Sequence, residues 1–340
     1  MWHILLTAVN AIVPIVLLIL VGYFLRQWGM LSDRFVKDGG ALVFKVLLPV
    51  LLFVNIYEIG SVSDVDWAAV LFCVGAVVAL FLLGIPTALL GTKEPLRKGV
   101  LWQCVFRSNY NIIGLPLAAA LGGEEALAFA AIVAALVVPL YNVFAVISLC
   151  VFVSPGEGKK PSVKKILLDI LKNPLIIAAI LGAVCLVIRA LENKIFGSVV
   201  FSLQRDLKFL YSPLNSLKTM ATPLALVVLG GQFKFSLVKG MFREIAVGTA
   251  LRLLVAPVLG LAAALLLDKL CNLSICDPVT VPGILCVLGA PVAVSSAVMA
   301  SQMGNDEQLA AQLVVWTSIG SMITVFALVC GLMAMGLLSI

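Results

Sequence analysis

"SNYNIIGLPLAAALGGEE", residues 108–125, belongs to an apolar run long enough to cross a bilayer, yet it carries Gly114 and Pro116 in its middle. Proline has no N–H to donate and its ring clashes with the preceding turn, a cost of about 3 kcal/mol inside a helix. In hydrocarbon no water repairs the damage, so a break of this kind survives only against protein or a wet cavity.

The surrounding chain sets the context. Of 340 residues, 62% are hydrophobic and 12% charged, with a mean hydropathy of +1.17. Soluble domains carry roughly 25% charged residues. A surplus of this size needs lipid around it, and the chain reads as a polytopic membrane protein. Ten apolar stretches approach the roughly 20 residues needed to span hydrocarbon. They run near 4–25, 39–57, 67–90, 97–121, 124–152, 165–188, 209–231, 240–267, 279–302 and 306–338. None alternates like a barrel strand, so the expected class is all-α. The first lacks a preceding basic residue and a small-residue cleavage pattern, and reads as an anchored span, not a signal peptide. Eight cysteines are scattered along the chain. Cys271 and Cys276 share a short connection in which they can pair, but without a wider disulfide framework free thiols are expected.

Basic residues set the orientation. Arg26, Arg34 and Lys37 follow the first stretch, Lys93, Arg97 and Lys98 the third, Lys159, Lys160, Lys164 and Lys165 the fifth, and Lys234, Lys239 and Arg243 the seventh. The second and fourth connections carry Asp64, Asp66, Glu124 and Glu125 instead, while the sixth dissents with Arg189, Lys194, Arg205 and Lys208. The balance places the first set in the cytoplasm of a cytoplasmic (inner) membrane protein with both termini outside. The net charge of +6 then reflects topology, and no nucleic-acid partner is implied.

The chain also repeats. Its polar connection "SPGEGKKPSVKK", residues 154–165, has five stretches on either side, and an odd number per half inverts the second half relative to the first. "PIVLLILVG" from Pro14 matches "PLIIAAILG" from Pro174. "LLPVLLF" around Pro49 matches "ATPLALVVLG" around Pro223. "GLP" at Gly114 matches "GAP" at Gly289, and "GEEALA" at Gly123 matches "NDEQLAA" at Asn305. Four matches in one order predict ten transmembrane helices as a 5+5 inverted repeat: residues 1–152, a cytoplasmic linker 153–165, and residues 166–340.

Paired, Gly/Pro-interrupted spans at corresponding places in two halves point to a transporter binding site. Broken spans four and nine are expected to cross near the midplane, where two half-helix N-termini, each worth roughly +0.5 charge, suit a carboxylate. The opposing carbonyl ends favour a proton or a cation. Asn109 and Asn111 before the first break, and Ser295 and Ser296 after the second, add neutral donors and acceptors. A kink that only improves packing is the bland alternative to each break taken singly.

"FRSNYNIIGLPLA" and "GAPVAVSSAVMASQMGNDEQLAAQLVVWTS" resemble the fourth-helix and ninth-to-tenth-helix signatures of the auxin efflux carrier family, within the bile-acid/sodium-symporter-like transporters. The likeness covers essentially the whole chain and, through the short central connection, is nearer the compact bacterial members. It implies a secondary transporter of small organic anions working as an elevator. Helices 1, 2, 6 and 7 would form a dimerising scaffold, with helices 3–5 and 8–10 as the mobile transport domain. Asn109 would meet the substrate carboxylate, Pro116 and Pro291 would be the crossover prolines, and Asn173 would face the site from the scaffold. Plant members place a serine after the second-helix proline. Here Val50, Leu51, Leu52, Phe53 and Val54 are all apolar, which counts against recognition of an indole acid of the plant type.

Arg107 lies about ten residues into the fourth stretch and Arg252 within the eighth; such charges cost at least about 2.5–3.5 kcal/mol on insertion scales. Arg107 either orients an anionic substrate or snorkels and pairs within the bundle. Arg252, placed nearer the expected membrane face, is expected to snorkel or pair. Gly22 and Gly182 are expected to be close helix contacts. All seventeen acidic residues fall in connections or near stretch ends. If sodium couples transport, neutral oxygens and backbone carbonyls must hold it. If protons do, a group such as Glu58 or Asp66, or the substrate itself, carries them. The one histidine, His3, is terminal, and no phosphate loop or paired catalytic groups occur. No cofactor, no resident metal and no enzyme activity are expected. A membrane receptor that binds its ligand at the breaks without moving it is the rival reading.

Overall fold

The computed structural model describes residues 2–58, 66–153, 168, 170–197, 200–271, 273 and 275–338. Lys159, Lys160, Lys164, Lys165 and Asp64 lie outside the described residues, as does most of the 153–165 linker. Among the described residues the structure is helical, without a named strand. In chain order come α1 (Trp2–Gln27), α2 (Asp33–Tyr57), α3 (Trp67–Gly91), α4 (Pro95–Phe106), α5 (Tyr110–Val151), α6 (Pro174–Phe196), α7 (Lys208–Gln232), α8 (Lys239–Cys271), α9 (Thr280–Gly289), α10 (Ser295–Gln302) and α11 (Glu307–Ala334). Six of these, α2, α3, α5, α6, α8 and α11, are long and apolar enough to cross a membrane. Val13–Gln27 and Thr280–Gly289 are apolar but shorter.

Local chemistry sets the ends. Asp66 accepts from the N–H groups of Ala68 and Ala69 to start α3, and Asp306 accepts from Leu309 to start α11. Asn173 accepts from Leu175 at 2.9 Å, and Pro174 takes the first helical position, where its missing N–H costs nothing. That pair corrects the sixth stretch: Asn173 interrupts it after helical residues 170–172, and the helix from Pro174 continues to Phe196, past the expected 188. Within α5, Gly122 and Gly123 leave helical geometry, Gly123 at φ +66°, so the fourth and fifth stretches turn into one another there.

Three helices contain a wider, π-type turn: Val43–Leu47, Tyr110–Gly114 and Leu251–Val255. A proline stands two residues beyond each, at Pro49, Pro116 and Pro257. Its ring crowds the carbonyl four residues back, which also loses its donor, and inserting one residue into the turn relieves both problems.

Close backbone approach joins α1 to α7 and α2 to α6. A Cβ on Gly22 would sit 2.1 Å from the Val227 carbonyl oxygen, and one on Gly182 would sit 2.9 Å from Ile56 Cβ. Both glycines are thus packing contacts, as expected. Connections associate in two sets. Arg97, in the first turn of α4, pairs with Glu244 at 3.1 Å and Asp306 at 2.8 Å, gathering the starts of α8 and α11. Glu58, ending α2, instead meets Lys218 and Tyr211 of α7, and Arg189 of α6 bonds the Tyr57 carbonyl. Cys271 and Cys276 carry free thiols.

Candidate functional site

The two interrupted stretches are bonded to each other. α4 stops at Phe106, Arg107 turns extended (φ −87°, ψ 97°), and Ser108 forms an isolated antiparallel bridge with Val292 in the gap between α9 and α10. Asn109 N–H donates to the Pro291 carbonyl at 2.8 Å, and Ala293 N–H donates to the Arg107 carbonyl at 3.2 Å. Ser108 Oγ donates to the Cys286 carbonyl at 2.8 Å, and Thr317 accepts from Val292 N–H at 3.2 Å. Each break therefore satisfies the backbone groups that the other exposes, which is how non-helical chain persists away from water. Gly114 permits the contact: a Cβ there would lie 2.9 Å from Cys286 Cβ on α9.

Arg252 answers the carbonyl ends. Its Nε donates to Ala290 at 2.8 Å, Nη2 to Val287 at 2.8 Å and Nη1 to Val105 at 3.1 Å, all backbone oxygens at the ends of α9 and α4. The residue is 0% exposed, so it does not snorkel to a membrane face. Its position along α8 suggested a surface, but its direction is inward, toward partial negative charge.

Arg107 is equally enclosed, at 3% exposure, with different company. Nη2 donates to Asn142 Oδ1 at 2.8 Å and Ser295 Oγ at 3.0 Å, while Nη1 reaches the Met299 sulfur at 2.8 Å and Gln103 Oε1 at 3.4 Å. None of the ion pairs among the described residues includes Arg107 or Arg252. Arg107 therefore pairs within the bundle, yet only with neutral groups, and its charge stays uncancelled.

Beside Arg107 lies a cavity of about 80 Å³. One water needs about 10–15 Å³ of such space, so a few waters or a small solute fit. Arg107, Asn109, Asn111, Tyr141, Asn142 and Ser295 line one wall; Leu48, Leu51, Leu52, Leu175, Thr222 and Ala225, from α2, α6 and α7, line the other. Among the described residues the Asn109 side-chain nitrogen is buried without a hydrogen-bond partner. A buried amide left without an acceptor costs about 1–3 kcal/mol.

Of the residues singled out in the sequence, Arg107, Asn109, Asn111 and Ser295 come together on the cavity. Gly114, Pro116, Gly289 and Pro291 shape the breaks behind it: Pro291 through its carbonyl, Pro116 through the π-type turn, Gly289 as the last residue of α9. Asn173 is buried and caps α6, and does not appear in the lining, although Leu175 beside it does. Sequence reasoning missed Asn142, whose signal was a lone amide inside the apolar fifth stretch, and Tyr141 next to it.

A family model described as a membrane transport protein matches residues 7–329. An uncharacterized transporter of Methanocaldococcus jannaschii is 29% identical over 269 residues, which is 78% of this chain and 80% of the relative. With the match extending over nearly the whole sequence, the chain belongs to the membrane transport protein family, that of the auxin efflux carriers.

Proposed function

We propose that this protein is a secondary active transporter that moves small organic anions, carboxylates in particular, across the cytoplasmic membrane. One observation carries the reading: among the described residues, a buried guanidinium without a carboxylate partner and an unpartnered amide line the same cavity. Burying an uncompensated charge is costly, and a visiting anion offsets that cost. A carboxylate accepts from Arg107 and Asn109 together, whereas a cation is repelled by Arg107.

The architecture proposed for it is ten spans in a 5+5 inverted repeat, with the spans broken at 107–109 and 290–294 crossing near the midplane and both termini outside. Equivalent contacts support the repeat, since Gly22 meets the carbonyl four residues after Pro223, and Gly182 lies near the carbonyl four residues after Pro49. In an elevator, α3–α5 and α8–α11 slide against a scaffold of α1, α2, α6 and α7. Two features favour that division. One hydrophobic core draws only on residues 68–152 and 251–338, and the cavity lies on the seam between the two groups. Ile177, Ile180, Leu181, Val184 and Val187 form an exposed apolar row on α6, which suits lipid or the scaffold of a second copy in a homodimer.

Proteoliposome uptake of labelled mono- and dicarboxylates tests the function. Saturable uptake with counterflow is expected, and runs with imposed sodium or proton gradients assign the coupling ion. Tight binding with no flux for any acid would instead support a receptor.

A further inference from the structure

A helix C-terminus carries roughly half a negative charge and several carbonyls without partners in the helix. Two such ends, Val105 on α4 and Val287 with Ala290 on α9, converge here on a single point. Convergent buried carbonyl oxygens are what a small cation binds. In this chain the point is filled by the Arg252 guanidinium, which donates one hydrogen bond to each oxygen and is 0% exposed. Among the described residues no cluster of His, Cys, Asp or Glu offers another seat for a metal ion.

We propose that Arg252 is a tethered cation that takes the place of an exchangeable one. It holds the ends of α4 and α9 together, so that these carbonyls need no sodium or potassium, and its removal opens the same oxygens to a free small cation. The inference extends the reading of this crossing region but does not depend on what the cavity binds. Its test uses protein without substrate, so failure here leaves the anion site standing, and failure of anion binding leaves this standing.

The test is thermal unfolding of the purified full chain in chloride salts of sodium, potassium, choline and guanidinium. The wild-type midpoint is expected to be the same in sodium, potassium and choline. Arg252→Ala is expected to lower it by on the order of 10 °C. Guanidinium at millimolar levels is expected to restore most of that loss, and choline, too large for the gap, none. Arg252→Lys keeps the charge and is expected to gain nothing from guanidinium. If Arg252→Ala yields no folded protein, expression and extraction with guanidinium present are expected to recover it. An Arg252→Ala protein indifferent to guanidinium overturns the proposal. So does a wild type that requires sodium for stability, or a guanidinium gain in Arg252→Lys as large as in Arg252→Ala.

Discussion

Arg107 and Arg252 carry the same charge and are almost equally buried, at 3% and 0% exposure, yet they sit in opposite electrostatic situations. Arg252 faces three carbonyl oxygens at helix ends, a fixed partial negative charge that answers its own. Arg107 faces an amide oxygen, a hydroxyl, a thioether and a second amide, which engage its two terminal nitrogens but leave its charge. Only Arg107 borders the cavity. Burial alone does not tell a structural charge from a recruiting one. The sign of what surrounds it does.

The contrast breaks most visibly if Arg252 is dispensable. Arg252→Met leaves three buried oxygens without donors, and the expected loss is about 3–5 kcal/mol of stability, read as a collapse in folded yield by size-exclusion chromatography. Arg107→Gln is the opposite case. It removes an uncompensated charge, so the unfolding midpoint is expected to hold or rise while affinity for a carboxylate falls about 100-fold, read by calorimetry. A large stability loss in Arg107→Gln would erase the distinction between the two sites.

Asn109→Ala sharpens the picture further. Loss of one hydrogen bond to a charged ligand is expected to weaken binding about 10-fold with expression intact, and unchanged affinity would remove Asn109 from the site. Asn173→Ala gives the smallest effect. As the cap of α6 it is expected to cost about 1 kcal/mol in stability, with carboxylate affinity unchanged. A marked fall in affinity would return Asn173 to the binding wall.

Much of this was legible in the order of residues because it rests on local chemistry. Gly114–Pro116 and Gly289–Pro291 mark the breaks wherever the helices go, whereas the cap Asn173 looks in sequence like a site residue inside an apolar run that starts at 165. α7 is less apolar than six of the other helices because Lys208, Ser212, Asn215 and Lys218 fall in its first half, and it is not among those long and apolar enough to cross a membrane. What sequence could not convey was direction. The place of Arg252 along α8 gives its depth, but its partners at 105, 287 and 290 depend on how three helices turn toward one another. Asn142 was hidden for the same reason: a single amide in an apolar helix has no meaning until Arg107 stands beside it.

The central claim is that the uncancelled charge of Arg107 makes the cavity a seat for anions. Its most direct test is calorimetric titration of the wild type and Arg107→Gln with small carboxylic acids, each paired with its uncharged primary amide. The expected result is that the wild type binds an acid and ignores its amide, and that Arg107→Gln no longer tells them apart. Equal binding of acid and amide by the wild type, or a preference for the acid that survives in Arg107→Gln, would contradict it.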